Sequence, residues 1–265
     1  MSFFLKGIIP IIPTIFHDNG DIDHIATTFL AKYATNKGAK SIVYPGVASE
    51  DLYLTLSERF EIIKSIKTEI NHNIPLISGI NSTDPDKMLE IAIKSIDAGS
   101  DIIMAMATPS MNNKYDFWFN KIVDVTNIKS IILQNAPNPR GSNLTTKQII
   151  KLISSVPEIK YIKEEAIPSG TKLTDVKNNL DHHNVSIIGG GGARYIFEEL
   201  ERGIIGSMPA IELLDLHIKL FSEYTSGNRD NALKLYKESL PLLVLQIPYR
   251  MRLTKLILHS QNLIK

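Results

Sequence analysis

Eight short apolar runs rich in β-branched residues, each followed by a helical pattern, limit the folds open to this chain more than any other feature. The runs cover residues 7–12, 40–44, 75–78, 101–105, 130–134, 159–163, 185–188 and 204–208. Most are continuously apolar, the mark of strands buried on both faces of a parallel sheet. Helical patterns fill the gaps. One covers 23–37 and closes at Gly38. A second begins at Ser57, a capping hydroxyl ahead of an amphipathic stretch, and a third begins at Asp84-Pro85 and closes at Gly99. Further helices are expected over 115–127, 145–155, 169–180 and 193–202. Eight strand–helix units fit a (β/α)8 barrel, which takes about 250 residues. A doubly wound open sheet would carry a glycine-rich phosphate turn after its first strand; that place holds Pro10-Ile11-Ile12-Pro13-Thr14. Beyond Met208 the pattern is helical only, punctuated by Gly227-Asn228 and Pro241. The expected organisation is an α/β TIM barrel over 1–210 with a C-terminal helical domain over 211–265.

Composition narrows the function. The chain has 265 residues, 43% hydrophobic and 22% charged, enough apolar content for a large core. Its net charge is +1 with no long run of one sign, so no nucleic-acid partner is expected. Cysteine is absent, which excludes disulfides, thiolate metal sites and a cysteine nucleophile. The opening Met1-Ser2-Phe3-Phe4-Leu5-Lys6 lacks the order of a signal peptide, and no stretch reaches the roughly 20 apolar residues of a membrane span. A cytoplasmic protein without a membrane partner is expected. The seven histidines form no metal pattern, and His182-His183 reads as a solvated loop. Asp18, Asp21 and Asp23 lack the glycine and glutamate spacing of a calcium loop. No metal or cofactor is expected.

In a barrel the chemistry sits where strands end. Lys163 ends the sixth run, and Glu165 shares its face if the strand continues; strict alternation would point Ile159, Tyr161, Lys163 and Glu165 one way. Burial of such an amine disfavours its charge and leaves a nucleophile able to form a Schiff base. The alternative is a strand-end lysine reaching out to water. The second run ends in Gly46-Val47-Ala48-Ser49-Glu50, a tight turn whose amides suit a carboxylate, or a turn and nothing more. The fifth ends in Gln134-Asn135-Ala136-Pro137 and the seventh in Gly189-Gly190-Gly191-Gly192. Those glycines can cradle a phosphate, leave room for substrate or simply turn the chain. Met208 closes the last strand.

Taken in order, these strand ends resemble the dihydrodipicolinate synthase / N-acetylneuraminate lyase superfamily. The resemblance rests on Gly7-Ile8-Ile9-Pro10, on Gly46-Val47-Ala48-Ser49-Glu50 with Leu54 and Ser57-Glu58-Arg59, on Tyr161-Ile162-Lys163-Glu164, and on Gly203 and Gly206. It implies a barrel with a helical extension, a homo-oligomer (tetramer or dimer), and a Schiff base between Lys163 and a 2-oxo acid such as pyruvate. It places the substrate carboxylate on the Val47 and Ala48 amides, with Gly46, Ser49, Gly190 and Met208 around the substrate. The chain departs from the pattern at telling positions. The proton-shuttling tyrosine of the fifth strand is Gln134, whose amide is neither acid nor base at neutral pH. The paired tyrosines after the fourth strand are Ser110-Met111, and the two threonines of the second-strand turn are Val47 and Ala48. The substrate arginine becomes Pro139, with Arg140 one place late. The stretch from Lys163 through Glu165, Pro168 and Gly170 to Lys172 is similar to a variant motif of a divergent branch. Glu165, if desolvated to a pKa near 6 to 7, then replaces the tyrosine, helped by water held on Gln134; the alternative is a simple ion pair that keeps Lys163 charged. The expected activity is a lyase acting on a 2-keto-3-deoxy or related 2-oxo acid, by aldol cleavage, condensation or dehydration. The alternatives are the lysine-pathway synthase itself and a barrel that binds a small acid without turnover.

Overall fold

The computed structural model describes residues 3–180 and 183–265. Met1, Ser2, Asp181 and His182 lie outside them, and with them the reading of the His182-His183 pair. The elements run β1 (Gly7–Ile8), α1 (His24–Asn36), β2 (Ile42–Val43), α2 (Leu56–Glu69), β3 (Leu76–Gly79), α3 (Pro85–Asp97), β4 (Ile102–Met106) and α4 (Tyr115–Thr126). They continue with β5 (Ile131–Asn135), α5 (Thr146–Ser155), β6 (Ile159–Glu164), α6 (Ser169–Asn178), β7 (Ser186–Gly189), α7 (Ile196–Glu201), β8 (Gly206–Ser207), α8 (Leu214–Thr225) and α9 (Arg229–Ser260).

All eight expected strands form, in the order β1-β8-β7-β6-β5-β4-β3-β2, every neighbour parallel. The first strand is shorter than its apolar run because Pro10 has no amide hydrogen to continue a regular ladder. The run stays paired all the same. Ile9 and Ile11 donate to Ser207 and Pro209 on one side, while Ile12 donates to Val43 and Val43 to Pro10 on the other, both at 3.0 Å. The sheet therefore closes into a barrel without an unpaired edge.

Alternation along each strand sorts the apolar residues into two cores. Val43, Ile77, Met104, Ile132, Ile188 and Met208 fill the barrel interior. Their neighbours Ile42, Leu76, Ile103, Leu133, Ile162 and Ile187 pack outward against the helices. Strand β6 breaks the strict alternation expected of it. Ile159 packs outward but Tyr161 packs inward, because the pairing with β5 slips between Ile131 and Ile132. The slipped residue bends the strand and resets its faces. Tyr161 then closes the barrel floor, accepting from the Leu5 amide at 3.0 Å and donating to the Phe3 carbonyl at 3.1 Å.

Two helix expectations need correction. Helix α2 is capped by Thr55, not Ser57. The Thr55 hydroxyl accepts from the Glu58 amide at 3.3 Å, and the Glu58 carboxylate accepts from the Thr55 amide at 2.7 Å. The reciprocal pair, Thr-x-x-Glu, satisfies two helix-end donors that Ser57 cannot reach from inside the first turn. Pro241 does not interrupt the C-terminal segment either; both Pro241 and Pro248 lie inside α9, and the backbone breaks at Arg250. Helix α8 packs on β1 and on α9, so the residues after 210 rest directly on the barrel. Among the described residues no helix is long and apolar enough to cross a membrane.

Candidate active site

The carboxyl end of β6 carries Lys163 into the barrel mouth, where it is only 2% exposed. It does not reach out to water. Its Nζ lies 3.3 Å from Oε1 of Glu165, one residue past the strand. Parallel pairing sets Gln134 of β5 beside Lys163. The Gln134 amide nitrogen donates to Glu165 Oε2 at 2.5 Å, and its oxygen accepts from Asn81 at 3.3 Å. Asn81 is fixed in turn by the Met106 amide, which donates to its Oδ1 at 2.9 Å. Gln134 thus grips the carboxylate directly with one end of its amide and Asn81 with the other. The Gly191 amide supplies a further donor to Glu165, at 3.0 Å.

These contacts set the electrostatics. Burial pushes the Lys163 amine below the ordinary lysine range; the Glu165 charge opposes the shift, and Arg250 and Arg140 add to it. Burial pushes Glu165 upward, but the Lys163 charge, Gln134 and the Gly191 amide outweigh it and hold the carboxyl at about 2. The expected pKa near 6 to 7 is therefore not that of the resting site. Glu165 rests as an anion because its three bonded partners, Lys163, Gln134 and the Gly191 amide, each donate a hydrogen bond or carry positive charge.

The glycine run makes room for this arrangement. A Cβ on Gly190 would stand 2.4 Å from Glu165 Cγ. Gly190→Ala is expected to displace the carboxylate and lower turnover by about 10–100-fold, as small misplacements of reacting groups do. Steady-state kinetics on the purified variant checks this, with circular dichroism confirming the fold.

The motif around Lys163 divides between two faces. Glu164 points away from Lys163 and is 1% exposed. It accepts from Asn135 at 2.9 and 3.0 Å and from the Ala166 amide at 2.8 Å, while Asn135 Oδ1 accepts from the Leu144 amide. This pair staples the loops after β5 and β6. Behind β7 a third carboxyl, Glu199, accepts from Ser169 at 2.6 Å, and burial drives its pKa up to about 7. A raised carboxyl pKa contributes stability that is full below the unfolded value and is lost as pH rises through the folded one. Glu199→Gln should therefore raise the melting temperature at pH 8, by the equivalent of about 3 kcal/mol at most, and change little at pH 4. Melting curves at the two pH values test the sign.

The turn after β2 is tied to β1. Ser49 accepts from the Gly46 amide at 2.9 Å and donates to the Ile12 carbonyl at 2.5 Å, and Thr14 donates to the Ser49 carbonyl at 2.7 Å. The Ser49 hydroxyl is thus engaged within the protein. The Val47 and Ala48 amides find no backbone acceptor among the described residues. Ala48 and Met208 belong to the apolar cluster of the barrel interior, with the Met208 amide on Gly189 at 3.0 Å. Surface clefts of 560 and 890 Å3 lie elsewhere, along α1, and are lined in part by exposed Phe29 and Ile25. Neither holds a buried nucleophile, so chemistry rather than volume marks the site.

Sequence reasoning missed Asn81, which holds Gln134, Arg194, whose charge reaches Glu165, and Arg250, whose charge reaches Lys163. A polar residue just past the third strand is a signal for Asn81. Arg250 had none, because it lies far along the chain on a helix.

Fold and site together define a closed (β/α)8 barrel with a buried lysine–glutamate pair at the carboxyl end of its strands. The family model described as the dihydrodipicolinate synthetase family matches residues 4–263, and the chain belongs to that family. It is 25% identical over 243 residues to 4-hydroxy-tetrahydrodipicolinate synthase of Bacillus subtilis (strain 168), covering 87% of this chain and 80% of the relative. It is 26% identical over 206 residues to the probable 2-dehydro-3-deoxy-D-pentonate aldolase YjhH of Escherichia coli (strain K12), covering 71% and 68%. The crystal structure of dihydrodipicolinate synthase from Rhodopseudomonas palustris superposes with a TM-score of 0.90 at 23% identity, covering 98% of this chain and 89% of that one.

Proposed function

We propose that the protein is a Schiff-base-forming lyase that cleaves or dehydrates a 2-keto-3-deoxy or related 2-oxo acid. The observation that carries the reading is the Lys163 amine, 2% exposed at the barrel mouth and 3.3 Å from Glu165. Lys163 passes its proton to Glu165 and attacks the substrate carbonyl as a free amine. Glu165 returns that proton to the carbinolamine hydroxyl, which leaves as water and gives an iminium beside a free carboxylate, while the Val47 and Ala48 amides hold the substrate carboxylate. In aldol cleavage Glu165 takes the proton of the C4 hydroxyl, the C3–C4 bond breaks, and its electrons neutralise the iminium to an enamine. Protonation of the enamine at C3 and hydrolysis release pyruvate and the free amine. Glu165 changes role without moving. Whenever the Lys163 nitrogen is neutral, as the free amine or the enamine, the attraction that held the carboxyl low is gone, and burial raises its affinity for a proton.

The similarity to an aldolase as well as to a synthase supports cleavage, and so does Gln134 at the place of the synthase tyrosine. Borohydride reduction in the presence of pyruvate should leave a stable adduct on Lys163, read by peptide mass spectrometry. Absence of label with every 2-oxo acid tried would remove the reading. Assembly as a homo-oligomer in the cytoplasm belongs to the same proposal. Exposed Leu52, Tyr53, Ile247 and Tyr249, between 55% and 83% exposed, supply apolar surface for it. Sedimentation velocity giving a monomer at micromolar concentration would exclude the oligomer.

A further inference from the structure

The turn assigned to the substrate carboxylate is anchored on two sides. On one side Ser49 ties it to β1, donating to the Ile12 carbonyl and accepting at its own carbonyl from Thr14. On the other side stands Glu50, the next residue. Its backbone is left-handed, with φ 58° and ψ 38°, and its amide donates to the Val47 carbonyl at 3.1 Å. Glutamate adopts that conformation rarely and keeps it only where its surroundings hold it there. The holding group comes from the last helix. Lys255 of α9 donates to both carboxylate oxygens of Glu50, at 2.7 and 3.0 Å, and joins residues 205 positions apart. Its ammonium also lies 4.7 Å from the centre of the Phe16 ring, in the loop after β1. The side chains of the pair are 28% and 17% exposed, so water and salt screen it less than a surface pair.

Helix α9 is itself fixed on both sides of Lys255. Gln246 abuts Gly192, 2.6 Å from its would-be Cβ, and donates to Glu212. Gln261, just past the helix end, donates to the Glu212 carbonyl at 3.1 Å. Leu253, Thr254 and Leu258 are buried between these ties. Lys255 therefore projects from an element held against the barrel. Val47 and Ala48 stand just before Ser49 and Glu50, and their amides have no backbone acceptor among the described residues. A carboxylate bound by two amides needs both aimed at one point. Release of Glu50 from the left-handed region would break its bond to the Val47 carbonyl and turn the peptide planes before it.

We propose that Lys255 is a positioning residue: through its ion pair with Glu50 it sets the Val47–Ala48 turn for the substrate carboxylate, so that the last helix controls affinity for the 2-oxo acid. This rests on the Schiff-base reading and deepens it. Lys255→Met, Glu50→Gln and the double variant are compared with native enzyme in borohydride trapping with pyruvate. The pyruvate concentration giving half-maximal labelling of Lys163 should rise about tenfold in each single variant. It should rise no further in the double variant, because the two residues act as one pair. Lys255→Arg should keep most of the native affinity, since a guanidinium can also meet both oxygens. For a cleavable 2-oxo acid KM should rise by a similar factor with kcat within about threefold, the mark of lost binding common to ground and transition states. The pH midpoint of adduct formation, set at Lys163 and Glu165, should stay in place. A merely structural pair would lower the melting temperature and leave half-saturation unchanged, and that result overturns the proposal. So does a fall in kcat with KM unchanged, or a double variant whose effect is the product of the two single ones. Glu50→Gln, which keeps the side-chain shape, decides the matter if Lys255→Met fails to fold. A Lys163 adduct whose pyruvate dependence ignores both substitutions sinks this inference alone. No adduct in native enzyme with any 2-oxo acid tried sinks the Schiff-base reading and this one with it.

Discussion

Lys163→Met is expected to abolish the borohydride-stable adduct and to lower turnover by at least about 10⁴-fold, since among the described residues no other lysine is buried and able to replace the nucleophile. Methionine keeps most of the volume and removes only the amine. The substitution also leaves Glu165 without its cation. Breaking a buried ion pair costs about 3–5 kcal/mol when the remaining charge is stranded. Here the cost should be smaller. Gln134 and Gly191 still donate to the carboxylate, the arginines still lie near it, and Glu165 can take up a proton. The variant should therefore fold, with a melting temperature lowered by several degrees. Turnover within tenfold of the native value, in a sample shown to be free of native protein, would refute the role of Lys163.

Glu165→Gln separates the nucleophile from the proton carrier. Two kinds of group act on the Lys163 amine: burial and the arginines lower its pKa, and the Glu165 charge raises it. Removing that charge leaves only the lowering influences. Adduct formation with pyruvate should persist, and its pH midpoint should shift to lower pH, because the free amine appears earlier in the titration. Turnover of a cleavable 2-oxo acid should fall by about 10²–10⁴-fold, the ordinary worth of a positioned general base. If Glu165 were only an ion-pair partner, the midpoint would shift in the same direction but turnover would survive. The kcat measurement thus decides between the two roles, and the adduct titration shows that the site is intact. Gln134→Leu should act on the same step more weakly. It removes one of the donors that hold the carboxylate but none of the reacting atoms.

The barrel was legible because its signals are local. Continuous apolar runs such as 101–105 mark a strand covered on both faces, and the Asp84-Pro85 pair marks where a helix starts. Lys163 was legible for the same reason, as a single charge at the end of an apolar strand. The faces of β6 were not. Strict period two put Ile159 with Lys163, and the pairing slip against β5 moved it outward, a choice made by the neighbouring strand. The break in α9 was misplaced likewise. Proline at 241 looked like punctuation, yet packing on the barrel keeps the helix through it and yields at Arg250.

The sequence by itself determined which segments are strands and helices, that they alternate eight times, and that an amine ends the sixth strand. These follow from side-chain periodicity and local backbone chemistry, which act over a few residues. Only the tertiary structure decided what that amine meets. Gln134 reaches Glu165 across 31 positions because adjacent parallel strands put them in register, and Arg250 reaches the mouth because α9 docks on the glycine turn. Those partnerships depend on how the sheet closes and where the last helix packs, and no periodicity along the chain encodes either.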